Sequence, residues 1–314
     1  MRLFIYNVIT FIDFEGIMNL SQYVKRGNLN IKNLISLKDI GEEEIAEILS
    51  VSRELKNMRL VHEVNPTLKD KYVLLLTKNN YPRSEITFQI AVKELLGEPV
   101  TTTMSGELLD SRLADIKYIQ ALSACGLSAV VVCTSMEQDA VLLNKTVSVP
   151  VINATALFGP CETLASLLTI AEITPNLNSL KATVVGNLDE CATQLVIGLV
   201  KMGIDVTLLP CEKGEFKEES LRYLSQFSEI VIEKDKKQAL KNADYVFFTQ
   251  GDGSFKVYKE DFELNAKNYK TLSSVPVDKT LADDELFAED NCLIVKQAEN
   301  LLHVTKALLS VIAK

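Results

Sequence analysis

Apolar residues follow two different periods along the chain. Short apolar runs without alternation, such as YVLLL (72–76) and the end of LKATVVG (180–186), predict buried strands. Segments with apolar residues at helical spacing, such as the one that contains Ile45, Ile48 and Leu49, predict amphipathic helices. The two patterns alternate, and the alternation starts again at about residue 180. This order predicts an α/β fold with two parallel sheets, each covered by helices on both faces.

The same pattern suggests how the chain is divided. We expect an N-terminal extension (1–32), a first domain (33–174), a second domain (175–295) and a final helix (296–314) that packs back on the first domain. Among the other elements, the pattern predicts a helix over 112–126 and a strand over 292–297. Ligands of such proteins bind at the carboxyl ends of the strands, so the loops after the strands should face a cleft between the domains.

The composition excludes several classes of function. Of the 314 residues, 47% are apolar and 24% are charged, which is typical of a folded globular protein, and the net charge is −9. No block of Lys and Arg stands out, so we expect neither nucleic acid nor a membrane as a partner. The six cysteines form no CxxC pair and are expected to be reduced thiols. With only two histidines, we expect no metal site.

The first twenty residues are apolar but are interrupted by Asn7, Asp13 and Glu15. They are too short to span a bilayer and lack a cleavage site, so we expect no signal peptide and a cytoplasmic location. Met18 is an alternative start of the native chain.

The stretch KNNYPRSEITFQ (78–89) joins a predicted strand to a predicted helix. An Arg and a Ser at such a junction indicate an anion held against backbone N–H groups at the start of the helix. However, Pro82 has no N–H to donate, and Glu85 adds a negative charge. The segment GNLDE (186–190) also follows a strand, but its single Gly disfavours a dinucleotide site, for which GxGxxG is typical.

Several segments together resemble the aspartate/ornithine carbamoyltransferases over about residues 33–312. LISLKDIGEEEIAEIL (34–49) is similar to the opening helix of that family, and FQIAVKELLGEPV (88–100) to the helix after its Ser-Thr-Arg-Thr-Arg motif. FGPCETLASLLTI (158–170) is similar to a later landmark segment of the same family. QAENLLHVTKALL (297–309) resembles the closing Gln-Ala-Glu-Asn-Arg-Leu-His segment and is the most specific of these matches.

The resemblance implies two Rossmann-like domains, of which the first binds carbamoyl phosphate and the second an amino acid. It also implies transfer of the carbamoyl group to an amine of an ornithine- or aspartate-like amino acid, with phosphate leaving and with no metal or other cofactor. In such a reaction, cations and hydrogen-bond donors stabilise the charge that develops on the phosphate and the carbonyl oxygen. A homotrimer with sites near the subunit interfaces is implied as well.

The phosphate side departs from the family motif. When Phe88 is aligned with the family's Phe, the motif becomes YPRSE (81–85). The central Arg is kept as Arg83, Ser84 keeps a hydroxyl, Tyr81 replaces the first Ser, and Glu85 replaces the last Arg. We expect Tyr81, Arg83, Ser84 and Glu85 to line the ligand site.

Four further cations or donors of the family are replaced. The Arg after the strand AVVV is Cys133, and the Arg of the closing segment is Leu301. The His and the Gln of His-Pro-x-Gln are Gly159 and Glu162. Because each charge-assisted hydrogen bond to a phosphate contributes roughly 1.5–3 kcal/mol, losing several of them is expected to weaken phosphate binding by something like 4–8 kcal/mol.

The amino-acid side is also altered. Glu190 lies where the family has one of two Asn residues, Thr249 begins the segment that replaces Asp-Val-Trp, and Ser273 and Ser274 replace the start of His-Cys-Leu-Pro. We expect these four residues, together with Glu162, to contact a small-molecule ligand. A cleft that loses cations and gains carboxylates should favour a cationic ligand.

Simpler interpretations exist for individual residues. Arg83 could be a surface residue at a helix start, Ser84 a helix N-cap, and Glu162 an acid in the first turn of its helix. Cys133 is interpreted as a buried apolar residue rather than a nucleophile, and His303 as a structural residue of the closing helix.

Three hypotheses about function remain open. In the first, the chain is a carbamoyltransferase that uses carbamoyl phosphate, with missing cations supplied by a neighbouring subunit. In the second, it is a non-catalytic binder or sensor of a diamine or a basic amino acid. In the third, it is a regulatory partner of active relatives. Whether it is an enzyme is therefore left open by the sequence.

Overall fold

The structure is a computed structural model. It describes residues 31–77, 82–103, 117, 120–121, 123–134, 137–155, 157–212, 218–265, 268–288 and 290–313, with only the backbone of Pro82 and Cys191. Two expectations concern residues outside this part of the chain. One is whether residues 1–17 belong to the native protein, and the other is most of the helix predicted over 112–126.

The first half contains a four-stranded parallel sheet with the strand order β2-β1-β3-β4. Its strands are β1 (Tyr72–Thr77), β2 (Glu98–Thr103), β3 (Leu127–Cys133) and β4 (Val151–Asn153). The central strands β1 and β3 are buried on both faces, whereas the edge strand β2 is largely exposed. This difference explains why the two central strands read as continuous apolar runs.

In the described part of the first half the helices are α1 (Glu42–Leu60), α2 (Pro82–Glu94), α3 (Glu137–Thr146) and α4 (Pro160–Ile173). A 3₁₀ turn (Leu37–Asp39) precedes α1. Nearly every side chain of α4 is buried, because this helix lies between the two halves of the molecule and packs against α1 and two later helices.

The second half contains a five-stranded parallel sheet with the strand order β7-β6-β5-β8-β9. Its strands are β5 (Lys181–Gly186), β6 (Asp205–Pro210), β7 (Val231–Ile232), β8 (Tyr245–Phe248) and β9 (Lys270–Ser273). The helices are α5 (Glu190–Lys201), α6 (Glu218–Leu224), α7 (Lys236–Leu240) and α8 (Glu285–Ala288), with a 3₁₀ turn at Lys259–Phe262. Two parallel-sheet α/β domains are therefore present, as the sequence predicts.

The last helix, α9 (Ile294–Ile312), packs against α1, α2 and α4 of the first half. The strand predicted over 292–297 is wrong, because α9 begins at Ile294 and only Cys292 forms an isolated bridge. Gln297, Leu301 and Val304 are buried at helical spacing, whereas Val295 is 82% exposed. A helix buries this apolar stretch better than a strand because the pattern continues for several turns.

None of the helices that the structure describes is long and apolar enough to cross a membrane.

Candidate functional site

A buried carboxylate marks the centre of the first candidate site. Glu162 lies in the first turn of α4, where a negative charge is favourable, and its side chain is 3% exposed. One carboxylate oxygen, Oε2, accepts hydrogen bonds from the backbone N–H of Phe158 at 2.9 Å and from the hydroxyl of Ser274 at 2.8 Å. Because Ser274 follows β9, this carboxylate joins the two halves of the molecule.

The other oxygen of Glu162 faces a cation. Arg83 Nη1 lies 3.4 Å from Glu162 Oε1, and the Arg83 side chain is 21% exposed. Arg83 is in the first turn of α2, which begins at Pro82, a residue preorganised for the first helical position. The anion that pairs with Arg83 is thus the carboxylate of Glu162, a side chain of the same protein.

Ser84 lies inside α2 and is not its N-cap, because the helix starts two residues earlier at Pro82. The N-cap interpretation of Ser84 is therefore wrong. Ser84 is 4% exposed, so its side chain lies within the protein.

The loop before α4 has a constrained backbone. Leu157 and Phe158 have φ angles of 62° and 70°, in the left-handed region that non-glycine residues rarely adopt. At Gly159, a Cβ atom would lie 2.1 Å from the carbonyl oxygen of Thr155, so no side chain fits there without a backbone shift. Glu162 accepts the N–H of Phe158 and thereby holds this loop in place.

Two buried thiols lie near the Arg83–Glu162 pair. Burial, and to a smaller degree the negative charge of Glu85, raise the pKa of Cys133 to about 12. Burial also raises the pKa of Cys161, with smaller contributions from Cys133 and Glu162. Both cysteines are uncharged at neutral pH, and Cys133 is a buried apolar residue rather than a nucleophile.

The hydroxyl residues of the second half are engaged with the backbone. Thr249 donates to the carbonyl of Val185 at 3.0 Å, and Ser273 donates to that of Phe248 at 3.1 Å. Both are buried, and of the predicted hydroxyl contacts only Ser274 reaches the carboxylate of Glu162.

A second candidate site is a cavity of about 430 Å³ between the two halves. Its walls come from the 3₁₀ turn before α1, the start of α3, the loop between β5 and α5, and the start of α6. Five charged side chains line it, namely Lys38, Glu137, Asp189, Glu190 and Glu219. With four carboxylates and one lysine, the cavity has a negative potential.

One wall of this cavity is held by Gln194 of α5. Its side-chain nitrogen donates to Glu137 Oε2 at 2.8 Å and to the Ser36 hydroxyl at 2.7 Å. Burial raises the pKa of the Glu137 carboxyl; the hydrogen bond from Gln194 opposes this shift, and the charge of Glu190 adds to it. Glu137 and Glu190 are therefore close enough for each to sense the other's charge.

Lys201, at the end of α5, fixes the neighbouring 3₁₀ turn. Its ammonium donates to the carbonyls of Leu37 at 2.7 Å and Ile40 at 2.6 Å, and it lies over the rings of Tyr223 and Phe227. Burial lowers the pKa of Lys201. The turn that carries Lys38 is thereby attached to the second half of the molecule.

Four of the predicted site residues fall into two groups. Arg83, Glu162 and Ser274 meet at the buried centre, whereas Glu190 lines the acidic cavity. Tyr81 lies outside the described residues.

The sequence interpretation missed Glu137, Gln194 and Glu219. Gln194 left one signal, since it is a polar residue within the otherwise apolar segment ATQLVIGLV.

No group of three or more His, Cys, Asp and Glu side chains within the described ranges is placed to hold a metal ion.

Comparison with known proteins shows which family this chain is similar to. Residues 32–172 match the family model described as aspartate/ornithine carbamoyltransferase, carbamoyl-P binding domain. The ornithine carbamoyltransferase of Bacillus subtilis is 28% identical over 314 residues, covering 92% of this chain and 96% of that protein. That of Methanosarcina mazei is 26% identical, covering 88% of this chain and 98% of its own length.

Solved structures share the fold. An ornithine carbamoyltransferase from Pyrococcus furiosus superimposes with a TM-score of 0.84 at 23% identity, covering 91% of this chain and 98% of the other. The catalytic subunit of M. jannaschii aspartate transcarbamoylase gives a TM-score of 0.75 at 23% identity, covering 90% of this chain and 98% of the other. Fold and cleft thus define a protein of two parallel-sheet α/β domains. These findings support the aspartate/ornithine carbamoyltransferase family: its model matches residues 32–172, and the relatives that are similar along nearly the whole chain are ornithine carbamoyltransferases.

Proposed function

We propose that this chain uses the carbamoyltransferase scaffold to bind a cationic small molecule, a basic amino acid or a diamine, in the acidic cavity between its two halves. The observation that carries the proposal is the cavity of about 430 Å³ whose described wall contains four carboxylates and a single lysine. A partly enclosed site of one sign of charge concentrates ligands of the opposite sign.

The electrostatics of Glu137 favour such a ligand. Burial raises the pKa of this carboxyl, which means that its charged form is disfavoured in the empty cavity. An ammonium group nearby would stabilise the charged form of Glu137 and the charge of Glu190 together. Binding of a cation therefore relieves an unfavourable interaction that the protein itself creates.

The names of relatives support a basic amino acid in particular. The proteins of B. subtilis and M. mazei are named ornithine carbamoyltransferases, and ornithine carries two ammonium groups and one carboxylate. An acidic amino acid such as aspartate is a poor match for a cavity with four carboxylates. Lys38, the one cation among the described residues of the wall, is suited to the carboxylate of an amino acid.

Carbamoyl transfer itself is the second candidate function. Arg83, which matches the anion-binding Arg of the family motif, is retained at the start of α2, and it supports this candidate. Carbamoyl phosphate would have to displace Glu162 from Arg83 and find further cations, which a neighbouring subunit of a homotrimer could supply. We place this function second because the charge of Arg83 is balanced by a buried carboxylate.

Titration calorimetry tests the first proposal. Ornithine, arginine and putrescine are expected to bind the wild-type chain, and glutamate at the same ionic strength is not. Glu190→Gln and Glu219→Gln are each expected to weaken binding about three- to tenfold, which corresponds to roughly 0.7–1.4 kcal/mol. Glu229→Gln, which removes the same charge outside the cavity wall, is the matched control. Equal binding of glutamate and ornithine contradicts the proposal, as does binding of none of them.

The second candidate and the homotrimer need their own measurements. Labelled carbamoyl phosphate is offered with the same amines at stoichiometric protein, and formation of a carbamoylated product with any amine establishes transfer. Light scattering on the eluted protein distinguishes a trimer, three times 34.9 kDa, from a monomer.

A further inference from the structure

Three groups surround the carboxylate of Glu162. The backbone N–H of Phe158 at 2.9 Å and the hydroxyl of Ser274 at 2.8 Å donate to Oε2, and the guanidinium of Arg83 forms an ion pair with Oε1 at 3.4 Å. These groups come from the loop before α4, the loop after β9 and the start of α2. A cation, an amide and a hydroxyl around one buried carboxylate form an oxyanion site, and a protein side chain fills it here.

Glu162 fills this site incompletely. Arg83 Nη1 and Nη2 are both shielded from solvent, and neither makes a hydrogen bond to any residue that the structure describes. The 3.4 Å ion pair is longer than the 2.7–2.9 Å that is typical of a charge-assisted hydrogen bond. A guanidinium binds carboxylates and phosphates best through two parallel N–H donors. The donor capacity of Arg83 is therefore larger than Glu162 uses.

The positive charge of Arg83 is already balanced by Glu162 without any free anion. Arg83 faces Glu162, and Glu85 lies close enough to raise the pKa of Cys133, although burial is the larger cause of that shift. The thiols of Cys133 and Cys161 are uncharged. A free oxyanion approaching Arg83 is repelled by the carboxylate of Glu162, which opposes binding.

We propose that Glu162 is an internal counter-ion that occupies the oxyanion site of Arg83, Phe158 N–H and Ser274, and thereby excludes free oxyanions of the phosphate class. Removal of the Glu162 side chain opens the site to such an anion. This inference is independent of the proposed function, because none of the four residues lines the acidic cavity.

A purely structural role for Glu162 predicts a different result. Glu162 also holds the strained loop at Phe158, so its removal lowers stability under either interpretation. Only the counter-ion role predicts that the shortened chain gains a response to phosphate, and that this response depends on Arg83.

The experiment uses the full chain and inorganic phosphate, with chloride at matched ionic strength as the reference. The melting temperature of the wild type is expected to be the same in both salts. Glu162→Ala is expected to melt about 1–2 °C higher in phosphate at ten times its dissociation constant. The double variant Arg83→Met/Glu162→Ala is expected to lose that shift, and Glu229→Ala, outside the site, to behave as the wild type.

Each outcome is decisive. Phosphate stabilisation of the wild type that Arg83→Met abolishes overturns the proposal, and this arm requires no Glu162 variant to fold. A Glu162→Ala chain without a phosphate response, or with one that persists in the double variant, also overturns it. If Glu162→Ala folds only in phosphate, the proposal is supported. If it stays unfolded in both salts, Glu162→Gln, which removes the charge but keeps the length of the side chain, is measured in its place. A Glu162→Gln chain without an Arg83-dependent phosphate response contradicts the proposal.

Discussion

The side-chain carbonyl of Gln194 on α5 accepts a hydrogen bond from the backbone N–H of Leu37 at 2.7 Å, although the two residues are 157 positions apart. The amide nitrogen of the same side chain donates to Ser36 and Glu137. One polar side chain thus satisfies three partners from two segments of the first half. It fixes the wall of the acidic cavity and attaches the 3₁₀ turn to the second half.

Replacing Gln194 by Ala is expected to destabilise the protein by about 2–4 kcal/mol. The change leaves the N–H of Leu37 buried without an acceptor, which alone costs roughly 1–3 kcal/mol, and it also removes a donor to Glu137. Urea unfolding measures the change. Gln226→Ala, at an exposed position, should stay within about 0.5 kcal/mol of the wild type, and an equal loss in both variants would contradict the assignment.

His303 predicts a specific dependence of stability on pH. Burial, followed by the charges of Lys306, Lys56 and Arg59, lowers the pKa of this imidazole from 6.5 to about 4. Between these two values the unfolded chain binds a proton that the folded chain does not bind, so stability falls as the pH drops from 6.5 towards 4.

From pH 7 to pH 5, the free energy of unfolding of the wild type is expected to decrease by about 2 kcal/mol more than that of His303→Leu. Urea unfolding of both chains at the two pH values gives this difference directly, because the other titrating groups are common to both. His62, which is exposed, serves as the control position. Parallel pH profiles in the two chains would refute the role of His303.

Cys133 and Cys161 are expected to resist alkylation in the folded protein. With the pKa of Cys133 at about 12, only about one molecule in 10⁴ carries a thiolate at pH 8, and burial also blocks the reagent. Cys125 is exposed and should react with iodoacetamide under the same conditions. Peptide mass spectrometry before and after unfolding in urea identifies the modified residues. Rapid labelling of Cys133 in the native state would disprove the burial and charge that we assign to it.

Gly159→Ala is expected to destabilise the protein by about 1–3 kcal/mol, because the new Cβ would meet the carbonyl oxygen of Thr155 at 2.1 Å. The matched control is Gly41→Ala at the start of α1, where the nearest atom to a new Cβ is the flexible carboxylate of Glu44 at 3.7 Å. Thermal unfolding of both variants tests this. If the two substitutions have the same effect, the close approach at Gly159 is incorrect.

Much of the fold follows from periodicity. The apolar strands β1, β3, β5 and β8 and the amphipathic helices between them are visible because burial on both faces, or on one stripe, leaves a local pattern. The same reasoning failed at residues 292–297, where the short run CLIVKQ has strand composition. Its helical form depends on the buried positions of the next three turns, beginning with Gln297.

Less of the candidate sites than of the fold could be predicted from the sequence. The motif alignment predicted that Arg83 and Glu162 both face the cleft, but their pairing depends on side-chain geometry that no local pattern encodes. Glu137 and Glu219 read as ordinary first-turn acids of α3 and α6. They line the same cavity as Glu190 because of long-range packing. Their proximity can therefore be seen from the positions of the helices but not from the sequence.

Each half of the molecule depends on contacts from a segment that belongs to the other half of the sequence. Helix α9, at the end of the chain, packs against α1, α2 and α4, while Lys201 of the second half caps the carbonyls of the 3₁₀ turn near residue 37. A fragment that stops at about residue 175 lacks its own last layer of helices, and the complementary fragment carries an ammonium with no carbonyls to bind. Each fragment lacks packing or hydrogen-bond partners that only the other fragment supplies. We therefore expect the two fragments to fold only when they are present together.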